Sequence, residues 1–276
     1  MPLEALLHFV HISDTHLLAP NQIKDFSGIQ PELALYAEQV LAWPHHPVTA
    51  MEALIREINT LPLKLDFVLH TGDIAGEDQS DYAWMTELFN QLRYPVIYLP
   101  GNHDRGADLT PLYPQAGQPI YELEVNGVQI VCLDSCHAEI RDAGWLDAEQ
   151  LSRLETICAA PDTRPLLVAL HHHPLPIDVA WLDNLRLGNG ETFHQILLRA
   201  RHRLCGVFCG HIHHSVDIFR DGILYSSVAS AAYQFLGWPG QAQSALDMRA
   251  DPGFNMVTVT PEQTLVRHHR YRIVRG

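Results

Sequence analysis

Seven side chains with metal-binding chemistry stand where apolar runs stop. "HFVHIS" runs into Asp14-Thr15-His16, "LDFVLHTG" into Asp73, and "PVIYLPG" into Asn102-His103-Asp104. "PLLVAL" runs into His171-His172-His173-Pro174, and "LCGVFCG" into His211-Ile212-His213. The candidate ligands Asp14, His16, Asp73, Asn102, His171, His211 and His213 offer carboxylates, a carboxamide and imidazoles, without thiolate. Oxygen and nitrogen donors of this kind suit manganese or iron first and zinc next. Seven are too many for one first-row ion with open positions. They suit two ions about 3.5–4 Å apart that share a carboxylate. Asp73 is the natural bridge, since its two oxygens can be divided. In Asp14-x-His16 and His211-x-His213, extended backbone would send both side chains to one face. A lone Asp-x-His is ordinarily a cap, and a lone buried histidine is ordinarily a hydrogen-bonded core residue. Five strand ends carrying a complete donor set are what point to a metal.

The elements that must position these groups alternate. Strand-like runs cover 6–13, 65–71, 95–99, 128–134, 166–171 and 204–209. Helical periodicity covers about 48–60, 80–93, 147–158 and 191–202, with Thr49, Ser80 and Asp147 as expected caps. Such β-α alternation predicts an α/β fold, and open α/β sheets collect ligands beyond the carboxyl ends of their strands. Asn126-Gly127 and Asp221-Gly222 predict hairpin turns, and a further hairpin joins 254–259 to 264–273. Parallel units mixed with antiparallel pairs predict a sheet sandwich flanked by helices, in one domain over 1–276. Residues 18–47 and 236–253 read as irregular insertions or lids.

Composition narrows the partners. The formal charge of −14 repels a long nucleic acid. A small anion is a different case. Two divalent ions against Asp14, Asp73 and one hydroxide leave about +1 locally. No apolar stretch reaches the roughly 18 residues that span a bilayer, and the first residues read as a strand rather than a signal peptide. Five cysteines without a CxxC pair read as buried hydrophobes of a reducing compartment, so the expected location is the cytoplasm. His45-His46 and His268-His269 read as surface residues. The sequence is compatible with an oligomer and does not specify one.

"DTH", "GD", "GNHD", "HHHP" and "GHIH", in this order, resemble the signature blocks of the calcineurin-like metallophosphoesterases. The resemblance implies a four-layer αββα sandwich with two metals at the strand ends. Asp14, His16, Asp73 and His213 would hold the first. Asp73, Asn102, His171 (His172 as the alternative) and His211 would hold the second. His103 would contact the phosphate, with Asp104 either orienting it or capping the next turn. "LHHHPLP" followed by "WLDNLRLGN" is most similar to the bacterial class III 3′,5′-cyclic AMP phosphodiesterases. The blocks differ from the "GDYVDRG" and "GNHE" of protein phosphatases. Segment 18–47 is longer than that group implies, and 229–255 follows its pattern loosely. The implied reaction is in-line attack on phosphorus by a metal-bridging hydroxide, converting cyclic AMP to 5′-AMP. His103 would bond a phosphate oxygen or protonate the leaving oxygen. Trp181, Asp183, Asn184 and Asn189, in the loop after "HHHP", are the candidates for packing on a purine and reading its edges. The alternatives are another small phosphodiester, such as a glycerophosphodiester, or a phosphomonoester. A non-catalytic scaffold comes last, since none of the seven donors is substituted.

Overall fold

The apolar runs form two mixed sheets. In the computed structural model, residues 4–273 are described except for 20–33, 77–81, 105–107, 116, 138 and 141. The first sheet contains β1 (Leu7–Ile12), β2 (Phe67–His70), β3 (Val96–Tyr98), β10 (Gly253–Val259) and β11 (Thr264–Arg270), in the order β11-β10-β1-β2-β3. The second contains β4 (Ile120–Val125), β5 (Val128–Leu133), β6 (Leu166–Ala169), β7 (Leu204–Cys209), β8 (Asp217–Arg220) and β9 (Ile223–Ser227), in the order β4-β5-β6-β7-β9-β8. β1, β2 and β3 are parallel, as are β5, β6 and β7. The remaining pairs are antiparallel except β7 with β9.

Period-two alternation splits each central strand between two cores. Ile130 and Cys132 of β5 join Phe9, Phe67 and Phe208 between the sheets. Val131 and Leu133 of the same strand pack with Leu154 and Ile157, which belong to α4 (Ala148–Ala159). Burial on both faces explains why these strands read as unbroken apolar runs. Phe9 stacks on Phe67 at 4.9 Å, and Phe208 of the other sheet meets Phe9 edge-on at 5.2 Å. Each such buried ring stabilises the fold by about 1.5–3 kcal/mol. The other helices are α1 (Ala34–Leu41), α2 (Pro47–Asn59), α3 (Ala83–Phe89), α5 (Ala180–Asp183) and α6 (Gly190–Leu197). The result is the expected αββα sandwich, in which two mixed sheets are flanked by helices.

Several local expectations shift. Asp147 caps α4 through a capping box with Gln150. α2 starts before Thr49, because Pro47 fits a first helical turn and the His46 side chain accepts the Val48 N–H. His46 is therefore a cap rather than a surface residue. Ser80 lies outside the described residues, as does 20–33 of the expected insertion, whose later part contains α1. Segment 236–253 folds back through Leu236 N–H to Ala245 O (2.8 Å) and joins the preceding residues through Asp247 N–H to Gln234 O (2.9 Å). It docks on α1 through Leu246 N–H to Gln39 Oε1 (2.7 Å). His268 is not simply solvated: it sits between Asn255 (2.8 Å) and Asp217 (2.9 Å), joining β11 to β8 across the sandwich. Asn126 and Asp221 have φ of 50° and 52°, and the glycine after each is also positive, as the two hairpin turns require. Among the described residues, no helix is long and apolar enough to cross a membrane.

Candidate metal centre

The loops beyond β1, β2, β3, β6 and β7 bring all seven expected donors together. Five of the seven are aimed by left-handed rather than extended backbone. Asp14 has φ 55°, His16 42°, Asp73 53°, His211 71° and His213 53°. This corrects the expectation for the two x-separated pairs: a kinked turn, not strand alternation, aims both side chains of each pair at one point. A left-handed non-glycine residue costs on the order of 1–2 kcal/mol, and such strain collects at functional sites. The glycines before the ligands are needed for close approach. A Cβ at Gly72 would lie 2.7 Å from His171 Nδ1, one at Gly101 would overlap the Asp73 carboxylate, and one at Gly210 would overlap the Ser13 side chain.

Two clusters result. Asp14 Oδ1 lies 3.3 Å from His213 Nε2 and 3.9 Å from His16 Nε2. The two imidazole nitrogens face each other at 3.1 Å. In the second cluster, His171 Nε2 lies 3.4 Å from Asp73 Oδ2, 3.1 Å from Asn102 Oδ1 and 3.2 Å from His211 Nδ1. Asp73 Oδ2 is also 3.8 Å from His16 Nε2, so this one carboxylate borders both clusters. Lone pairs turned toward a common point fit a cation at each. Buried Asp14 Oδ1 accepts no hydrogen bond, and facing ring nitrogens can share at most one proton. Backbone carbonyls fix the tautomers. His213 Nδ1 bonds Tyr233 O at 2.6 Å and His171 Nδ1 bonds Thr71 O at 2.7 Å, which turns each Nε2 inward, the way a hydrogen bond on the far nitrogen orients a metal-binding histidine. Between the adjacent histidines, His171 reaches Asp73 and Asn102. His172 instead bonds Ser135 Oγ through Nδ1 at 2.8 Å and packs its ring against His211.

Other expected site residues are differently employed. His103 donates its backbone N–H to Asp73 Oδ1 (2.9 Å), and its Nε2 lies 3.9 Å from Asp73 Oδ2. Its side chain is 17% exposed against 1% for His16, so it faces the open side. Asp104 is buried, and the turn after it lies outside the described residues. Its oxygens accept from the backbone N–H groups of Ile74, Ala75 and Gly101 and from the Tyr82 hydroxyl, clamping the loops after β2 and β3. Asn189 bonds both backbone groups of Leu146 through its amide, which ties its loop to the segment before α4. Asp183 accepts from Ile177 N–H and lies 3.9 Å from His173, so it too holds its own loop. Asn184 closes the end of α5. Trp181 packs edge-on against Phe235, which stacks on His213 at 4.2 Å. Sequence reasoning missed Phe235 and Tyr233, whose ring stacks on His16 at 5.1 Å. Both lie in the 229–255 segment, where no periodicity signalled a role. Trp43, whose ring lies 6.1 Å from Tyr233, and His45, read as a surface residue, extend this aromatic wall.

The sequence model of calcineurin-like phosphoesterases matches residues 7–215. The chain belongs to the calcineurin-like phosphoesterase family. It is a phosphoric ester hydrolase. It is 31% identical over 266 residues to the 3′,5′-cyclic adenosine monophosphate phosphodiesterase CpdA of Escherichia coli, covering 95% of this chain and 88% of that protein. It is 30% identical over 216 residues to the glycerophosphodiester phosphodiesterase GpdQ of Enterobacter lignolyticus, covering 74% and 69%. A dimetal phosphatase from Danio rerio shares the fold with a TM-score of 0.61 at 15% identity, covering 97% of both chains.

Electrostatics prepare this phosphoesterase for cations. Burial would raise the Asp73 carboxyl, but the imidazoles of His171, His103 and His16 outweigh it and hold Asp73 well below the ordinary range. Burial and the neighbouring His172 and His171 push His211 well down, leaving it neutral. Burial also acts to lower His171, yet Asp73 prevails and its proton is held up to about 9. A cation needs the neutral ring, so it must displace this proton. Apparent cation affinity is therefore expected to rise by up to about tenfold per pH unit below 9. Calorimetry in buffers of different ionisation enthalpy should show about one proton released for this histidine. The raised pKa has the converse effect on the metal-free fold. Its stabilisation is full below the unfolded value near 6.5 and is lost as pH rises through about 9.

Proposed function

We propose that the chain hydrolyses a small phosphodiester, 3′,5′-cyclic AMP first, to the monoester. Asp14, His16, Asp73 and His213 hold one divalent cation, and Asp73, Asn102, His171 and His211 hold a second. Manganese or iron suits these donors before zinc. The observation that carries this reading is Asp73 Oδ2 lying within 3.8 Å of His16 and 3.4 Å of His171, one carboxylate between two donor clusters. Cations there supply a lowered water pKa and positive charge for the phosphate oxygens. The chain's own contribution is geometric. The clamped loops fix the donors, and His103 stands on the open side to donate to a phosphate oxygen or to protonate the leaving oxygen. The likeness to CpdA over most of the chain supports cyclic AMP as the substrate. The likeness to GpdQ favours glycerophosphodiesters as the second reading. Five free cysteines support a reducing, cytoplasmic location.

The test compares cyclic AMP, glycerophosphoethanolamine, bis-(p-nitrophenyl) phosphate and p-nitrophenyl phosphate with added Mn²⁺. Cyclic AMP should give the highest kcat/KM, at least about tenfold above the monoester, roughly the discrimination available to a fitted pocket. Turnover of the glycerophosphodiester with cyclic AMP untouched would move the assignment to the second reading. Turnover of the monoester alone would remove both.

A further inference from the structure

Beyond the carboxyl ends of β1 and β2 the loops carrying Asp14, His16 and Asp73 run side by side. His70, the last residue of β2, has no exposed surface. Its Nδ1 accepts the N–H of Gly72 at 3.2 Å. A ring nitrogen that accepts carries no proton, and burial pushes His70 down to about 3, so the neutral ring holds its proton on Nε2. That N–H meets the Thr15 hydroxyl at 3.1 Å, and the hydroxyl donates to the Ile74 carbonyl at 2.7 Å. The direction of the chain is fixed at both ends, since an amide N–H only donates and a carbonyl only accepts. It begins at Gly72, ends at Ile74, and passes through the residue between Asp14 and His16. Every ligand it brackets is left-handed, and Gly72 has φ 104°. Packing alone does not call for a histidine here. The ring stacks on Tyr98 and meets Phe89 edge-on, surroundings that a phenylalanine would satisfy.

We propose that His70 is a positioning residue that holds both ligand loops in their strained, cation-ready form through Thr15 and Gly72. It hydrogen-bonds Thr15 and Gly72 and acts through the backbone that aims the candidate ligands. The proposal rests on the reading that Asp14, His16 and Asp73 hold cations, and the experiment separates the two. Metal-free wild type, His70→Phe, Thr15→Val and Thr15→Ser are titrated calorimetrically with Mn²⁺, and the melting temperature of each is recorded without metal. His70→Phe and Thr15→Val should each weaken cation binding by about 10- to 100-fold, the usual effect of losing an outer-shell partner. Thr15→Ser keeps the hydroxyl and should bind as wild type does. The double variant should be no weaker than the worse single one, because both substitutions cut one chain. If wild type binds no cation, the metal reading falls. If wild type binds and both Thr15→Val and His70→Phe bind equally well, the positioning role is overturned. Should His70→Phe fail to fold, Thr15→Val, which preserves volume, decides the matter by the same criterion.

Discussion

Asp73→Asn is expected to lower kcat/KM by at least about a thousandfold and to reduce bound metal from two ions to one or none, the joint loss that a shared ligand in a two-metal site implies. The substitution is close to isosteric. Asparagine tolerates left-handed backbone, so φ 53° at this position survives. The carbonyl end of the amide can still accept the His103 N–H that now reaches Oδ1 at 2.9 Å. What disappears is the second anionic oxygen, Oδ2, which borders His16 on one side and His171 on the other. Asp73 is also the main influence holding the His171 proton up to about 9 against burial. Without it His171 falls toward neutrality, so the variant keeps no stranded buried charge. The metal-free melting temperature should therefore move by only a few degrees, as expected for a ΔΔG of about 1 kcal/mol or less in a domain of this size. Elemental analysis after reconstitution, kcat/KM and a metal-free melt check the three parts. Full turnover with two ions bound would show that the bridge lies elsewhere.

The candidate donors were legible as a group because their chemistry sits at a recognisable place. Asp14, Asp73, Asn102, His171 and His211 each follow an apolar run, and polar side chains that end buried strands need a reason. The layering of two sheets between helices followed from strands read between helices and from two Asx-Gly turns, whereas the strand order within each sheet did not. The geometry that aims the donors was not legible. Asp, Asn and His adopt left-handed backbone only in a minority of cases, and here the choice is imposed by distant neighbours such as Gly72 O on Asp14 N–H and Asp73 O on His16 N–H. The same non-locality hid the work of Asp104, whose donors come from residues 74, 75, 82 and 101. It also hid Asn189, whose partner is more than forty positions away. Only the folded chain shows that His171 reaches Asp73 and Asn102 while His172 bonds Ser135. The aromatic wall of Tyr233 and Phe235 lay in a segment without periodicity, where only the folded chain reveals what the rings cover.

His103→Ala is expected to retain two cations and lose about 100- to 10,000-fold in kcat, the range for removal of a positioned acid or base. Its Nε2 lies 3.9 Å from Asp73 Oδ2, and its side chain is the partly exposed imidazole beside buried His16 and His171. The backbone N–H that supports Asp73 is untouched by the change, so the ligand loops keep their anchor. The leaving group then separates the two roles open to this ring. If His103 protonates the departing oxygen, a substrate releasing p-nitrophenolate needs that proton little, and its loss should be much smaller than the loss with cyclic AMP, whose alkoxide needs it most. If His103 instead bonds a non-bridging phosphate oxygen, both substrates should suffer alike. A His103→Ala protein that binds only one cation would make this histidine a ligand, because His16, Asp73 and His103 also present donor atoms within 4.8 Å of one another. Metal content and leaving-group dependence, measured on one variant, therefore distinguish a ligand from an acid and an acid from a phosphate contact.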